Sequence, residues 1–145
     1  MALIDRLTSL RDALEHIAPV YVSAGEPAAP VGADCDRIYV WVDSLEDDNA
    51  VDPNSCMVSS RLTIGYAIWT CYQDEAEDRT ADQYLADATR FTDMVEDVWD
   101  TLVSLKDAGT LAGASRCDQI VLNPLAWGSR SGLAVSAVGT IVVQL

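Results

Sequence analysis

The chain has 145 residues, which matches one domain spanning 1–145, and half of them are hydrophobic, so we expect a folded core rather than a disordered acidic chain. Its 23 acidic and 9 basic residues give a formal net charge of −14, which would repel phosphate backbones and argues against a nucleic-acid binder. No apolar run approaches the roughly 20 residues that span a bilayer. Charged residues also interrupt the N-terminal apolar positions, unlike in a signal peptide, so we expect a soluble intracellular product.

The N-terminal third predicts a helix, a linker and a strand. Spacings of four and three place five aliphatic residues on one helical stripe that Pro19 closes: Leu3, Leu7, Leu10, Leu14 and Ile17. Residues 21–36 are rich in Ala, Pro and Gly and predict a loop or extended linker. Residues 37–44, RIYVWVDS, carry β-branched and aromatic side chains on both faces, which predicts a strand covered on both sides.

The middle of the chain predicts a second strand and a long amphipathic helix. Residues 59–72, SSRLTIGYAIWTCY, form the longest strand candidate, paired with the first strand through an acidic loop. Thr80 and Gln83 have capping-box spacing. The helix that follows keeps an apolar stripe at spacings of four and three, which consists of Tyr84, Ala88, Phe91, Val95, Val98, Leu102 and Leu105. Acidic residues fill its other positions, and Gly109 and Gly113 mark its exit.

The C-terminal part predicts two more strands. The first covers 117–127, with Pro124 implying an edge or irregular end, and GSRSG at 128–132 predicts a turn. Residues 132–145 carry no charged side chain and form the last strand. The expected fold is therefore α+β in the order α-β-β-α-β-β: a small, largely antiparallel four-stranded sheet, with a long helix on one face and an N-terminal helix.

The sequence offers no convincing catalytic, cofactor or metal site. His16 shares a helix face with Asp5, Ser9 and Asp12, but a solvated polar face explains this arrangement better than a catalytic triad. GSRSG has arginine where a nucleophile elbow requires serine. The carboxylate clusters lack the ligand spacing of a calcium loop. The four widely spaced cysteines are better explained as small buried hydrophobes than as a disulfide or metal site. Because none of these patterns indicates a reactive site, we expect no enzymatic activity and no cofactor.

Three stretches carry a family resemblance: SSRLTIGYAIWTCYQ, TADQYLADATRFTDMVEDVWDTL and SGLAVSAVGTIVVQL. In their order they resemble the tail terminator (tail completion, minor tail protein U-like) proteins of long-tailed bacteriophages. The resemblance implies a homo-oligomeric ring, of six subunits, that caps the head-proximal end of the tail tube. Its partners would be the major tail tube protein, whose polymerisation it stops, and a head-side connector. The resemblance also implies assembly in the host cytoplasm, a place in the virion tail or neck, and DNA passing through without specific binding.

Such a ring needs heterologous contacts and a lumen that does not hold DNA. Because the C-terminal strand is apolar and is expected to leave backbone groups unpaired, we expect the subunit or tube interface at Leu133, Val135, Val138, Ile141, Val143 and Leu145. The acidic loops predict a lumen lined by Glu46, Asp47, Asp48, Asp74, Glu75 and Glu77. The first alternative is a head-to-tail connector or stopper of the phage neck. The second, which fits the sequence less well, is a small ligand-binding or enzymatic domain.

Overall fold

A computed structural model describes residues 1–27, 36–47, 60–71, 80–122, 129–131 and 134–145. Its two α-helices are α1 (Leu3–Leu14) and α2 (Ala81–Ala108), and a short 3-10 helix (Leu111–Gly113) follows α2. The strands are β1 (Val20–Val22), β2 (Arg37–Asp47), β3 (Ser60–Cys71), β4 (Arg116–Leu122), β5 (Ser129–Ser131) and β6 (Ala134–Gln144). This arrangement confirms the α+β class.

The strands form one mixed sheet, so the predicted four-stranded sheet is wrong. Its order is β1-β2-β3-β6-β4, and the short β5 also pairs with β6. Strand β1 runs parallel to β2, whereas the other pairs are antiparallel. The sequence did not reveal β1, because three residues are too few to show a strand periodicity. This strand forms because the edge of β2, which lies further along the chain, offers it hydrogen bonds. It therefore occupies the start of the predicted linker, 21–36.

The C-terminal strand β6 lies inside the sheet, which contradicts the expected unpaired backbone. One side of β6 pairs with β3 along residues 134–144. The other side pairs with β4 over residues 139–144 and with β5 over residues 134–136. The predicted turn at 128–132 is partly strand, since Ser131 of β5 pairs with Ala134. Pro124 lies outside the described residues.

One face of the sheet packs against both helices and forms the main core. Alternation along β3 sends Leu62, Ile64, Tyr66 and Ile68 to this face, each at most 1% exposed. Helix α1 covers it with Leu7, Leu10 and Leu14 of the predicted stripe, whereas Leu3 is 37% exposed and Ile17 follows the end of the helix. Helix α2 covers it with a second row that begins at Phe91. Most of the apolar pattern of the long strands and helices is thus buried within the same subunit.

The second face of the sheet holds a smaller aromatic cluster: Trp41, Ala67 and Trp69, with Tyr39 and Val138 packed against it. No helix among the described residues belongs to this cluster. The Trp41 indole lies across Gly65, its cross-strand partner, so closely that a Cβ at Gly65 would overlap the ring. At the edge, the Tyr21 ring stacks on Tyr39 with 5.5 Å between centroids. Among the described residues, the second face therefore differs from the core face in being built from strands alone.

Helix α2 begins and ends where the sequence predicts, but its apolar stripe is only partly buried. Thr80 and Gln83 form the capping box, and Gly109 ends the helix in a left-handed conformation at φ 69°. Phe91, Val95, Val98 and Leu102 are buried, whereas Tyr84 is 50% exposed. All residues of 81–90 are exposed except the half-buried Asp87. We call residues 81–90 the α2 overhang, which extends the helix by about 15 Å beyond its buried part.

Candidate interaction surfaces

A polar contact marks the point where α2 leaves the core. The Asp36 carboxylate, just before β2, accepts a hydrogen bond from the Thr70 hydroxyl at 2.7 Å and one from Arg90 Nε at 3.3 Å. A second guanidinium nitrogen of Arg90 completes the ion pair. Thr70, near the end of β3, is 4% exposed. Asp36 thus ties α2 to two strands one residue before Phe91 enters the core.

A groove of about 690 Å³ runs along α2 beside this contact. Its aliphatic part consists of Ile17, Leu85, Ala86 and Met94. Its polar residues are Asp36, Asp82, Thr89, Arg90, Asp93 and Asp97. We call this surface the α2 groove. It combines exposed aliphatic surface with four carboxylates and a single cation, which is already paired with Asp36.

A second concave region, of about 430 Å³, lies on the second face of the sheet around Asp118. The register of β4 shifts between Cys117 and Gln119, so Asp118 sits at a bulge. Its carboxylate accepts hydrogen bonds from Arg116 Nε at 3.1 Å and from the Gln144 side-chain amide, and lies 4.0 Å from Arg61 Nε. Because two arginines face this carboxylate, the region is locally balanced in charge and does not continue the acidic surface of α2.

The predicted interface residues do not share one surface. Ile141 and Val143 are 0% exposed in the subunit's own core. Val138 lies on the second face, half-buried against the Trp41 cluster. Leu145 is 40% exposed at the chain end. Leu133 and the side chain of Val135 lie outside the described residues.

The predicted lumen residues are described only in part. Glu46 and Asp47 are exposed at the end of β2, opposite Arg61 and Ser60 of β3. Asp48, Asp74, Glu75 and Glu77 lie outside the described residues.

The described part of the chain gives the candidate catalytic and sulfur-bearing residues ordinary structural surroundings. His16 is exposed just after α1, and Asp12 pairs with Arg11 at 3.1 Å. Cys117 is a free thiol, and burial raises its pKa, which favours the unreactive protonated form. Cys35, Cys56 and the side chain of Cys71 lie outside the described residues. The described residues contain no cluster of three His, Cys, Asp or Glu that could hold a metal ion.

Sequence reasoning missed the α2 groove, although one feature indicates it. Leu85 lies next to the predicted stripe rather than on it, so an aliphatic side chain interrupts the acidic side of α2. It is 66% exposed. The contribution of Ile17 and Asp36 has no local signature, because both come from other parts of the chain.

A comparison with known protein families and with curated proteins gives no match for this chain. Within the described residues, none of the helices has the combination of length and hydropathy that crossing a bilayer requires.

Proposed function

We propose that this chain is a ring-forming structural protein of a long-tailed bacteriophage, of the tail-terminator kind, which caps the tail tube and joins it to the head. The observation that supports the proposal best is the α2 overhang. Its residues Tyr84 and Ala88 continue the apolar stripe of α2, yet both are exposed in the subunit. Exposed apolar surface that continues a core stripe is typical of a protein contact site.

The overhang suits a head-to-tail contact between identical subunits. A closed ring needs a surface on one side of the subunit that docks onto a different surface of its neighbour. A helix segment whose apolar stripe stays exposed supplies such a surface without disturbing the subunit's own core. In this proposal Tyr84 and Ala88 contact the neighbour, whereas Ile141 and Val143 are buried in the subunit's own core.

The charge of the chain supports the same role. A channel through which DNA passes benefits from walls that repel phosphate, and the net charge of −14 has the sign that such walls need. The exposed carboxylates on α2 and at the end of β2 contribute to it. The proposed partners are copies of this chain, the tube protein and a head-side connector.

The proposal is tested by electron microscopy of the purified protein, alone and mixed with tail tubes. We expect rings, and tubes that carry a cap at one end and stop growing. Rings that leave tube growth unchanged would instead identify a head-to-tail connector. A stable monomer at high concentration that does not bind tubes would contradict any ring-forming role.

A matched pair of variants tests the overhang itself. Tyr84→Ser removes an aromatic ring that is 50% exposed, and Ile4→Ser removes an aliphatic side chain of α1 that is 57% exposed. Neither change touches the core, so both variants should keep the circular dichroism spectrum and melting temperature of the parent. We expect Tyr84→Ser alone to lose rings. Equal ring formation by both variants would exclude the overhang as the contact.

A further inference from the structure

We propose that the α2 groove is a docking site for a basic, aliphatic segment of another protein, in which Lys or Arg side chains flank residues such as Leu or Ile. This inference does not depend on the phage role proposed above. It rests on the shape of the groove, on its exposed aliphatic surface and on the sign of its charge.

The aliphatic part of the groove provides the anchor position. Leu85 is 66% exposed, while Met94 is 7% exposed and forms a deeper position near Ile17. Asp82 and Asp97, at the two ends of the α2 wall, are separated by about 22 Å along the helix axis. This length accommodates about four turns of a partner helix, whose apolar side chains would cover Leu85.

The charge of the groove selects the partner. Asp93 and Asp97 are four residues apart on the helix, and like charges at this spacing destabilise a helix. Among the described residues no cation pairs with Asp82, Asp93 or Asp97, and the only basic side chain in the groove, Arg90, is engaged by Asp36. A cationic partner would relieve this repulsion, whereas an acidic one would add to it.

A second copy of this chain is a poor occupant. Each copy carries a net charge of −14. Among the described residues, Arg11 pairs with Asp12 and Glu15 and Arg116 with Asp118, which leaves Lys106 as an exposed cation. A segment of another protein that carries several cations therefore complements the groove better than a second copy does.

The test uses a synthetic amphipathic peptide of about 14 residues, long enough to span the groove as a helix, built only from leucine and lysine. Its control has glutamate in place of every lysine. Binding to the full-length protein is measured by fluorescence anisotropy of the labelled peptide, and the site is mapped from backbone amide chemical shifts. We expect the lysine peptide alone to bind, with the largest shifts at Leu85, Ala86, Thr89 and Met94.

Two pairs of isosteric variants separate the groove from general acidity. Asp93→Asn with Asp97→Asn removes two groove charges, and Asp100→Asn with Asp107→Asn removes two exposed charges of α2 outside the groove. The first pair should weaken binding about fivefold and the second less than twofold, given the usual strength of surface ion pairs. Leu85→Ala, added to the first pair of substitutions, should weaken binding of the lysine peptide further without altering the fold.

Three results would overturn the proposal: no binding of the lysine peptide, equal weakening by both pairs of variants, or shifts that lie elsewhere on the surface. Self-association that the first pair of variants abolishes would also overturn it, because a second copy would then be the occupant. Ring formation and tube capping are measured separately. If the proposed phage role fails, the peptide-binding result can therefore still be interpreted.

Discussion

The contact between Tyr66 and Gly139 shows how single residues determine strand pairing. The two residues face each other across β3 and β6, and a Cβ at Gly139 would lie only 2.6 Å from the Tyr66 ring. The ring reaches past the glycine so that its hydroxyl donates a hydrogen bond to the carbonyl oxygen of Val121 in β4, at 3.1 Å. Glycine is therefore required at 139, and one side chain links three neighbouring strands.

Replacing Tyr66 by phenylalanine should lower stability in a manner that depends on pH. Burial raises the pKa of Tyr66 far above its usual value of about 10, so the folded protein keeps this hydroxyl protonated. At pH 7 we expect Tyr66→Phe to lower the free energy of unfolding by about 1–2 kcal/mol through the lost hydrogen bond.

Above about pH 10 the unfolded tyrosine ionises while the folded one does not, so the parent loses stability that the variant does not lose. The difference in the free energy of unfolding between the parent and Tyr66→Phe should narrow by about 1.4 kcal/mol for each further pH unit. Urea denaturation of both proteins at pH 8 and pH 11 measures it. A difference that stays constant between the two pH values would contradict the claim that the folded protein keeps the Tyr66 hydroxyl protonated.

At the scale of elements, α2 joins a buried helix to an exposed overhang. Its core half is held by packing, whereas the exposed residues 81–90 rely more on the helix's own hydrogen bonds, on the Asp36–Arg90 ion pair and on the N-terminal cap. Short helical stretches with few buried contacts are marginally stable in water. The cap therefore matters more here than at a helix end that is packed against a core.

We expect Thr80→Ala to fray the overhang without unfolding the protein. The substitution removes the hydroxyl that accepts from the Gln83 backbone N–H, at 3.3 Å, and such caps are worth about 1 kcal/mol. Hydrogen exchange should accelerate several-fold at residues 84–90 and stay unchanged at residues 95–102. Thr92→Ala serves as control, because it makes the same change at an exposed threonine whose hydroxyl donates to the carbonyl oxygens of Ala88 and Thr89 and caps no helix end. Uniform acceleration along α2 would show that the helix opens as one unit.

At the scale of the whole molecule, the excess of acidic residues is a force that acts against compact folding. With 23 acidic and 9 basic residues, repulsion between surface carboxylates is expected to outweigh the few exposed ion pairs. Salt at 0.1 M screens charges beyond about 10 Å and should relieve this repulsion.

We therefore expect the melting temperature to rise with sodium chloride between low salt and 0.3 M. A gain on the order of 1 kcal/mol would correspond to a rise of about 3 °C. The triple variant Glu96→Gln, Asp100→Asn and Asp107→Asn should melt higher at low salt and respond less to added salt. A melting temperature that falls with salt would mean that attractive ion pairs dominate instead.

The sequence by itself determined the features that depend on neighbours along the chain. The capping box of Thr80 and Gln83, the exit at Gly109, the buried stripe of α1 and the two faces of β3 all follow from spacings of a few residues. These patterns are reliable because the backbone periodicity itself aligns the side chains concerned.

Only the tertiary structure decided which elements meet. It paired β1 with β2, placed β6 between β3 and β4, and left Tyr84 and Leu85 exposed on a helix longer than its core contact. The apolar pattern of β6 is the same for an edge strand and a central one, and that of α2 does not reveal where the sheet beneath it ends. Strand order and helix overhang depend on contacts between distant parts of the chain, which no local spacing records.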